Sequence, residues 1–107
     1  MTRADAIDRV RQHLQSGDFL TDLNRRVGYK TESQNAGRQD ALRAYLEQEM
    51  HPAFSQLGFA TRTIESPTGK SPYLLAEYRE DPSRPTVLMY GHGDVVDGME
   101  GEWRDGL

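Results

Sequence analysis

The sequence predicts an α/β fold, with helices in the first half of the chain and strands in the second. Three observations carry this. Apolar residues recur at helical spacing as far as Leu57. From Phe59 onward they gather into short runs bounded by Gly, Pro, Ser and Asp. The last run, Val87-Leu88-Met89-Tyr90, is continuous and lacks alternation, as in a strand covered on both faces.

The elements follow in chain order. Thr2 is placed to cap a first helix, and Asp5 stands three residues on as the return partner of a capping box. Ile7, Val10 and Leu14 form one stripe, and Gly17 ends the helix. Asp18 is expected to cap a short second helix carrying Phe19, Leu20, Leu23 and Val27. Residues 28–37 are polar and turn-rich, so they read as a loop. Leu42, Leu46, Met50, Ala53 and Leu57 then share one face of a long helix. The stripe runs through Pro52, which predicts a kink in one helix rather than two helices. Gly58 terminates it. Strands are expected at Phe59–Ile64, Tyr73–Tyr78 and Thr86–Tyr90, with turns at 66–72 and 80–85. The third strand should be the most buried, with Val87 and Met89 no more exposed than Leu74 and Ala76. An exposed or helical 86–91 segment would overturn this strand and, with it, any family assignment that rests on it.

Composition bounds the function. The chain has 107 residues, 36% of them hydrophobic, and a formal net charge of −4. This fits one small unit with a modest core, or a piece of a larger one. The charge is too mild for a nucleic-acid or membrane surface, and no basic cluster stands out. There is no cysteine, so any metal site must use histidine and carboxylates. The amino terminus is charged and carries no apolar leader or membrane span, so a cytoplasmic location is expected.

The chemistry concentrates where the third apolar run ends. Gly91 lets the chain turn, and Gly93 leaves space beside His92. His92 and Asp94 are two residues apart, so extended backbone sends both side chains to one face. The end of a strand is where ligand sites of α/β domains lie. A carboxylate that holds one ring N–H of an imidazole presents the other nitrogen to a metal. His92 is therefore the candidate metal ligand, and Asp94 the candidate active-site carboxylate that orients it.

The stretch Val87-Leu88-Met89-Tyr90-Gly91-His92-Gly93-Asp94-Val95-Val96 resembles the first metal-site motif of the co-catalytic zinc peptidases. That family includes acetylornithine deacetylase, succinyl-diaminopimelate desuccinylase, aminoacylase, glutamate carboxypeptidase and carnosinase. The upstream chain is similar as well: Asp18–Val27 looks like an early family helix, and Ala44–Phe59 like the long helix before the first strand. Residues 101–107 resemble the loop after the motif. The specific part is residues 86–96. Asp97 departs from the pattern, since many members carry proline there.

The resemblance implies that residues 1–107 are the amino-terminal part of a zinc-peptidase-like catalytic domain, without its smaller dimerisation domain. It implies two zinc ions per full-length subunit, His92 ligating one of them and Asp94 orienting His92. The implied reaction is hydrolysis of peptide or N-acyl amino acid substrates. The family's bridging aspartate, Glu-Glu pair and remaining ligands lie downstream of this motif. The chain alone is therefore expected to be inactive and to bind zinc weakly. The alternatives are a non-catalytic remnant or small binding module, and an unrelated α/β protein in which the motif is coincidental.

Other residues carry less. His13 is expected to be solvated on the first helix, and His51 to have a surface or packing role. Asp94, Asp97, Glu100, Glu102 and Asp105 lack the spacing of a calcium loop and read as a solvated tail. Gly91 and Gly93 are too few for a dinucleotide fingerprint. Trp103 is expected to pack the last loop against the sheet.

Overall fold

Thr2 opens the first helix through a reciprocal pair of hydrogen bonds. In the computed structural model, which describes residues 1–105, α1 spans Arg3–Gln15. The Asp5 amide donates to Thr2 Oγ1 at 3.2 Å, and the Thr2 amide donates to Asp5 Oδ2 at 2.7 Å. Two amides without helical partners are thereby satisfied. After Gly17, helix α2 spans Asp18–Val27. The cap is Gly17 itself, in the left-handed region at φ 86°, not Asp18 as the sequence suggested. Asp18 is the first helical residue, and its carboxylate accepts from Ser16 Oγ at 2.7 Å.

Residues 39–56 are helical throughout, as the unbroken stripe predicted, but the winding changes twice. Helix α3 (Gln39–Ala44) passes into a π-helical segment at Tyr45–Met50 and then into α4 (His51–Gln56). Pro52 has no N–H and its ring crowds the carbonyl four residues back. The wider π turn accommodates both, and the His51 amide reaches back five residues to Leu46 O. The stretch stays one helix, and the disturbance at Pro52 takes the form of a change of winding. Gly58, at φ 88°, ends the helix in a conformation that side chains disfavour.

Strands β1 (Ala60–Ile64) and β2 (Tyr73–Glu77) form an antiparallel hairpin, with Arg62 opposite Leu75. Phe59 joins it to α4, with its ring 5.4 Å from both Phe54 and Tyr78.

The third predicted strand does not form. Residues 86–90 pair with no strand among the described residues, and Val87 and Met89 are 81% and 86% exposed, whereas Leu74 and Ala76 are half-buried. A strand covered on both faces requires neighbours on each edge and a layer on each side. The described residues supply one hairpin, and it does not lie alongside this run. Trp103 is exposed, and its indole N–H donates to Gly98 O at 2.7 Å, within its own loop. Gly106 and Leu107, the end of the loop compared with the family, lie outside the described residues.

Apolar burial is sparse. Leu42 and Pro72 are the buried apolar residues among those described, and the stripes of α1 and α2 stay exposed. The radius of gyration is 17.1 Å, against about 13 Å for a compact chain of this length. The surface is 9374 Å², against about 6,000 Å² for a folded monomer of this mass.

Charge pairs supply ties that the core does not. Glu49, whose side chain is 5% exposed, accepts from Arg25 Nε at 2.8 Å, Arg25 Nη2 at 2.7 Å and Arg26 Nε at 3.0 Å. These bonds, Arg25 first, hold its carboxyl down at about 2 against the opposing effect of burial. They fasten α2 to the π segment. Arg43 makes a two-pronged contact with Glu65 at 3.0 and 2.8 Å, tying α3 to the end of β1.

Candidate functional site

The His92–Asp94 segment docks on the loop after α2. The Val95 amide donates to Thr31 O at 2.9 Å, and Glu32 and Val95 form an isolated parallel bridge. Thr31 Oγ1 donates to Gly93 O at 2.6 Å. Glu32 turns the other way and accepts from Arg38 Nε at 2.7 Å. Thr31, beside the Glu32 bridge, and Ser33, in the turn closed by the Asn35 amide on Glu32 O at 3.0 Å, both direct their hydroxyls at residues 93–94.

Gly93 is required by its neighbour. A Cβ there would overlap the Tyr45 ring, which comes from the first residue of the π segment. Tyr45 is held edge-on by Tyr29, with ring centroids 5.7 Å apart. Glu49 lies four residues on from Tyr45, so one helix face serves both the Gly93 contact and the α2 ion pairs. The π winding therefore sits under the candidate site, where such irregularities often occur.

The two sequence-predicted site residues come together. His92 Nδ1 lies 3.0 Å from Asp94 Oδ1 and 3.2 Å from Asp94 O. Both partners are acceptors, the carboxylate in its ionised form, so Nδ1 carries a proton and, in the neutral ring, Nε2 carries the lone pair. The other Asp94 oxygen, Oδ2, accepts from Ser33 Oγ at 2.7 Å. The Ser33 hydrogen bond is the first cause that holds the Asp94 carboxyl below the usual range; burial opposes it and His92 adds to it. The His92 side chain is 68% exposed.

The other histidines have partners elsewhere. His13 is exposed, as expected, with Nε2 3.4 Å from Asp22 Oδ2. His51 is exposed, and its Nδ1 is 2.7 Å from Thr61 Oγ1, linking α4 to β1. Among the described residues, no three His, Asp or Glu side chains converge as a metal cluster. In the acidic tail Glu100 meets Lys30 at 3.4 Å. No helix among the described residues is long and apolar enough to cross a membrane.

Sequence reading missed Thr31, Ser33 and Tyr45. Thr31 and Ser33 gave no signal beyond that of polar residues in a turn-rich loop. Tyr45 gave no signal, because its role depends on the approach of Gly93 from 48 residues away in sequence. No protein-family model matches the chain, and no curated protein or solved structure matches it.

Proposed function

We propose that the chain supplies one metal ligand of a zinc-dependent hydrolase of peptide or N-acyl amide bonds, as the amino-terminal part, residues 1–107, of its catalytic domain. The observation that carries this is the contact of His92 Nδ1 with the Asp94 carboxylate at 3.0 Å. It leaves the Nε2 lone pair on an exposed face, the state in which histidine ligates zinc. The motif resemblance at residues 91–96 points the same way. The exposed 86–90 run stands against the resemblance, which expects a buried strand there, so the reading rests on the His92–Asp94 geometry and not on the strand.

His92 and Asp94 fit one ligand position. A catalytic zinc takes about three protein ligands, so His92 would be one member of a set completed by other residues. When bound, zinc lowers the pKa of its water and polarises the scissile carbonyl. Asp94 keeps the imidazole in one tautomer and orientation. The Thr31 and Tyr45 contacts hold the backbone that carries both. A cytoplasmic setting belongs to the same proposal.

The test uses protein that carries the full ligand set. His92→Ala should lose one of two zinc ions and nearly all hydrolysis of N-acyl amino acids or dipeptides. Asp94→Asn should keep its metal at saturating zinc while turnover falls about 10- to 100-fold. Wild-type turnover in Asp94→Asn, or both metals retained in His92→Ala, would overturn the assignment.

A further inference from the structure

We propose that Ser33 is a positioning residue for His92, acting through Asp94: its hydroxyl pins the carboxylate that turns Nε2 of the imidazole outward. The proposal rests on the reading of His92 as a metal ligand. It goes beyond that reading because Ser33 lies 61 residues from Asp94 in sequence and outside the motif.

Each oxygen of the Asp94 carboxylate has its own donor. Oδ1 takes His92 Nδ1 at 3.0 Å and Oδ2 takes Ser33 Oγ at 2.7 Å. With His92 alone on Oδ1, the carboxyl plane could still swing about that one bond. With two, the plane is fixed, and the ring bonded to Oδ1 is fixed with it. The imidazole has little other support, since it is 68% exposed. Packing therefore does not decide its orientation, and hydrogen bonding does.

Ser33 itself is held in place. Val95 N–H to Thr31 O at 2.9 Å and Thr31 Oγ1 to Gly93 O at 2.6 Å set the register of the two segments. The Tyr45 ring backs Gly93 from the other element. These contacts do not involve the Ser33 hydroxyl, so removing it leaves the docking intact. The hydroxyl donates to Asp94 and not to the imidazole, which excludes a Ser–His nucleophile pair in this arrangement.

The test uses the chain labelled with ¹⁵N in its histidines, read by long-range proton–nitrogen spectra at neutral pH. Zinc chloride is then titrated in. The wild-type His92 ring should be protonated at Nδ1, and zinc should shift Nε2. Ser33→Ala should raise the share of the Nε2–H tautomer and weaken zinc at His92 about 3- to 10-fold, at or below the low end of effects seen when a ligand's hydrogen-bond partner is removed. Ser33→Thr, which keeps the hydroxyl, should restore both. The Val95 amide should stay protected from exchange in Ser33→Ala.

An unchanged tautomer and unchanged zinc affinity in Ser33→Ala, with zinc still shifting His92, would overturn the role of Ser33 and leave the metal reading standing. A tautomer change in Ser33→Ala with no zinc response at His92 in any variant would support the positioning and sink the metal reading. Loss of Val95 protection in Ser33→Ala would make Ser33 part of the docking itself and overturn the proposal.

Discussion

The ring of Tyr45 occupies the space that a side chain at Gly93 would need. Gly93→Ala should therefore push the ring away or lift residues 93–95 off the loop, at a cost of about 1–3 kcal/mol, typical of overpacking. Hydrogen exchange reads this at the Val95 amide, which should lose protection. Gly91→Ala, where a Cβ would meet nothing within 4 Å, should leave that amide unchanged. Equal effects at both positions would contradict the close approach.

Glu49 should make stability depend on acid. Its carboxyl is held at about 2 from an ordinary value of 4.5 by Arg25 and Arg26. A depressed carboxyl stabilises the fold fully above its unfolded value and loses that contribution as pH falls through its folded value. Glu49→Gln should cost about 1–3 kcal/mol at neutral pH. The gap to wild type should narrow as pH drops from 4.5 towards 2. Denaturant melts of the two proteins across that window check it, and a gap independent of pH would contradict it.

Pro52→Ala restores a backbone donor and removes the crowding that favours the π turn. The stretch 39–56 should gain regular α-helix, visible as added helicity by circular dichroism. The register of Tyr45 and Glu49 should shift with it, and Val95 should lose protection. Added helicity with Val95 unchanged would show that the π winding does not set the Tyr45–Gly93 contact.

Leu88→Lys and Met89→Lys should change unfolding by less than about 0.5 kcal/mol, as for ordinary surface positions, because both side chains are exposed. A buried strand would lose about 2–5 kcal/mol from each. Both variants should also raise solubility, since the run is apolar and its backbone is unpaired. A loss in the buried range would reinstate the third strand.

What the sequence made legible was what neighbouring residues decide among themselves. The Thr2–Asp5 box, the Gly58 stop and the contact between His92 and Asp94 all lie within a few residues of their partners, and the strands at 60–64 and 73–77 were each marked by their own apolar run and flanking turns. Pro52 announced a disturbance, but the choice of π winding over a bend depends on how the whole turn rearranges. The 86–90 run showed that a strand there would suit burial on both faces. It could not show whether the residues to cover those faces are at hand. Ser33 looked like one more polar loop residue, since its partner approaches only once Val95 pairs with the segment at Thr31.

Which histidine nitrogen meets zinc is the most direct test of the candidate site. The ¹⁵N-histidine chain titrated with zinc chloride should show Nε2 of His92 responding first, with Nδ1 still protonated and bonded to Asp94. His13, whose Nε2 is 3.4 Å from Asp22 against 3.0 Å for the His92 contact, and His51, whose Nδ1 faces a hydroxyl and not a carboxylate, should respond only at higher zinc. Zinc that shifts His13 or His51 as readily as His92, or that enters His92 through Nδ1, would contradict the account.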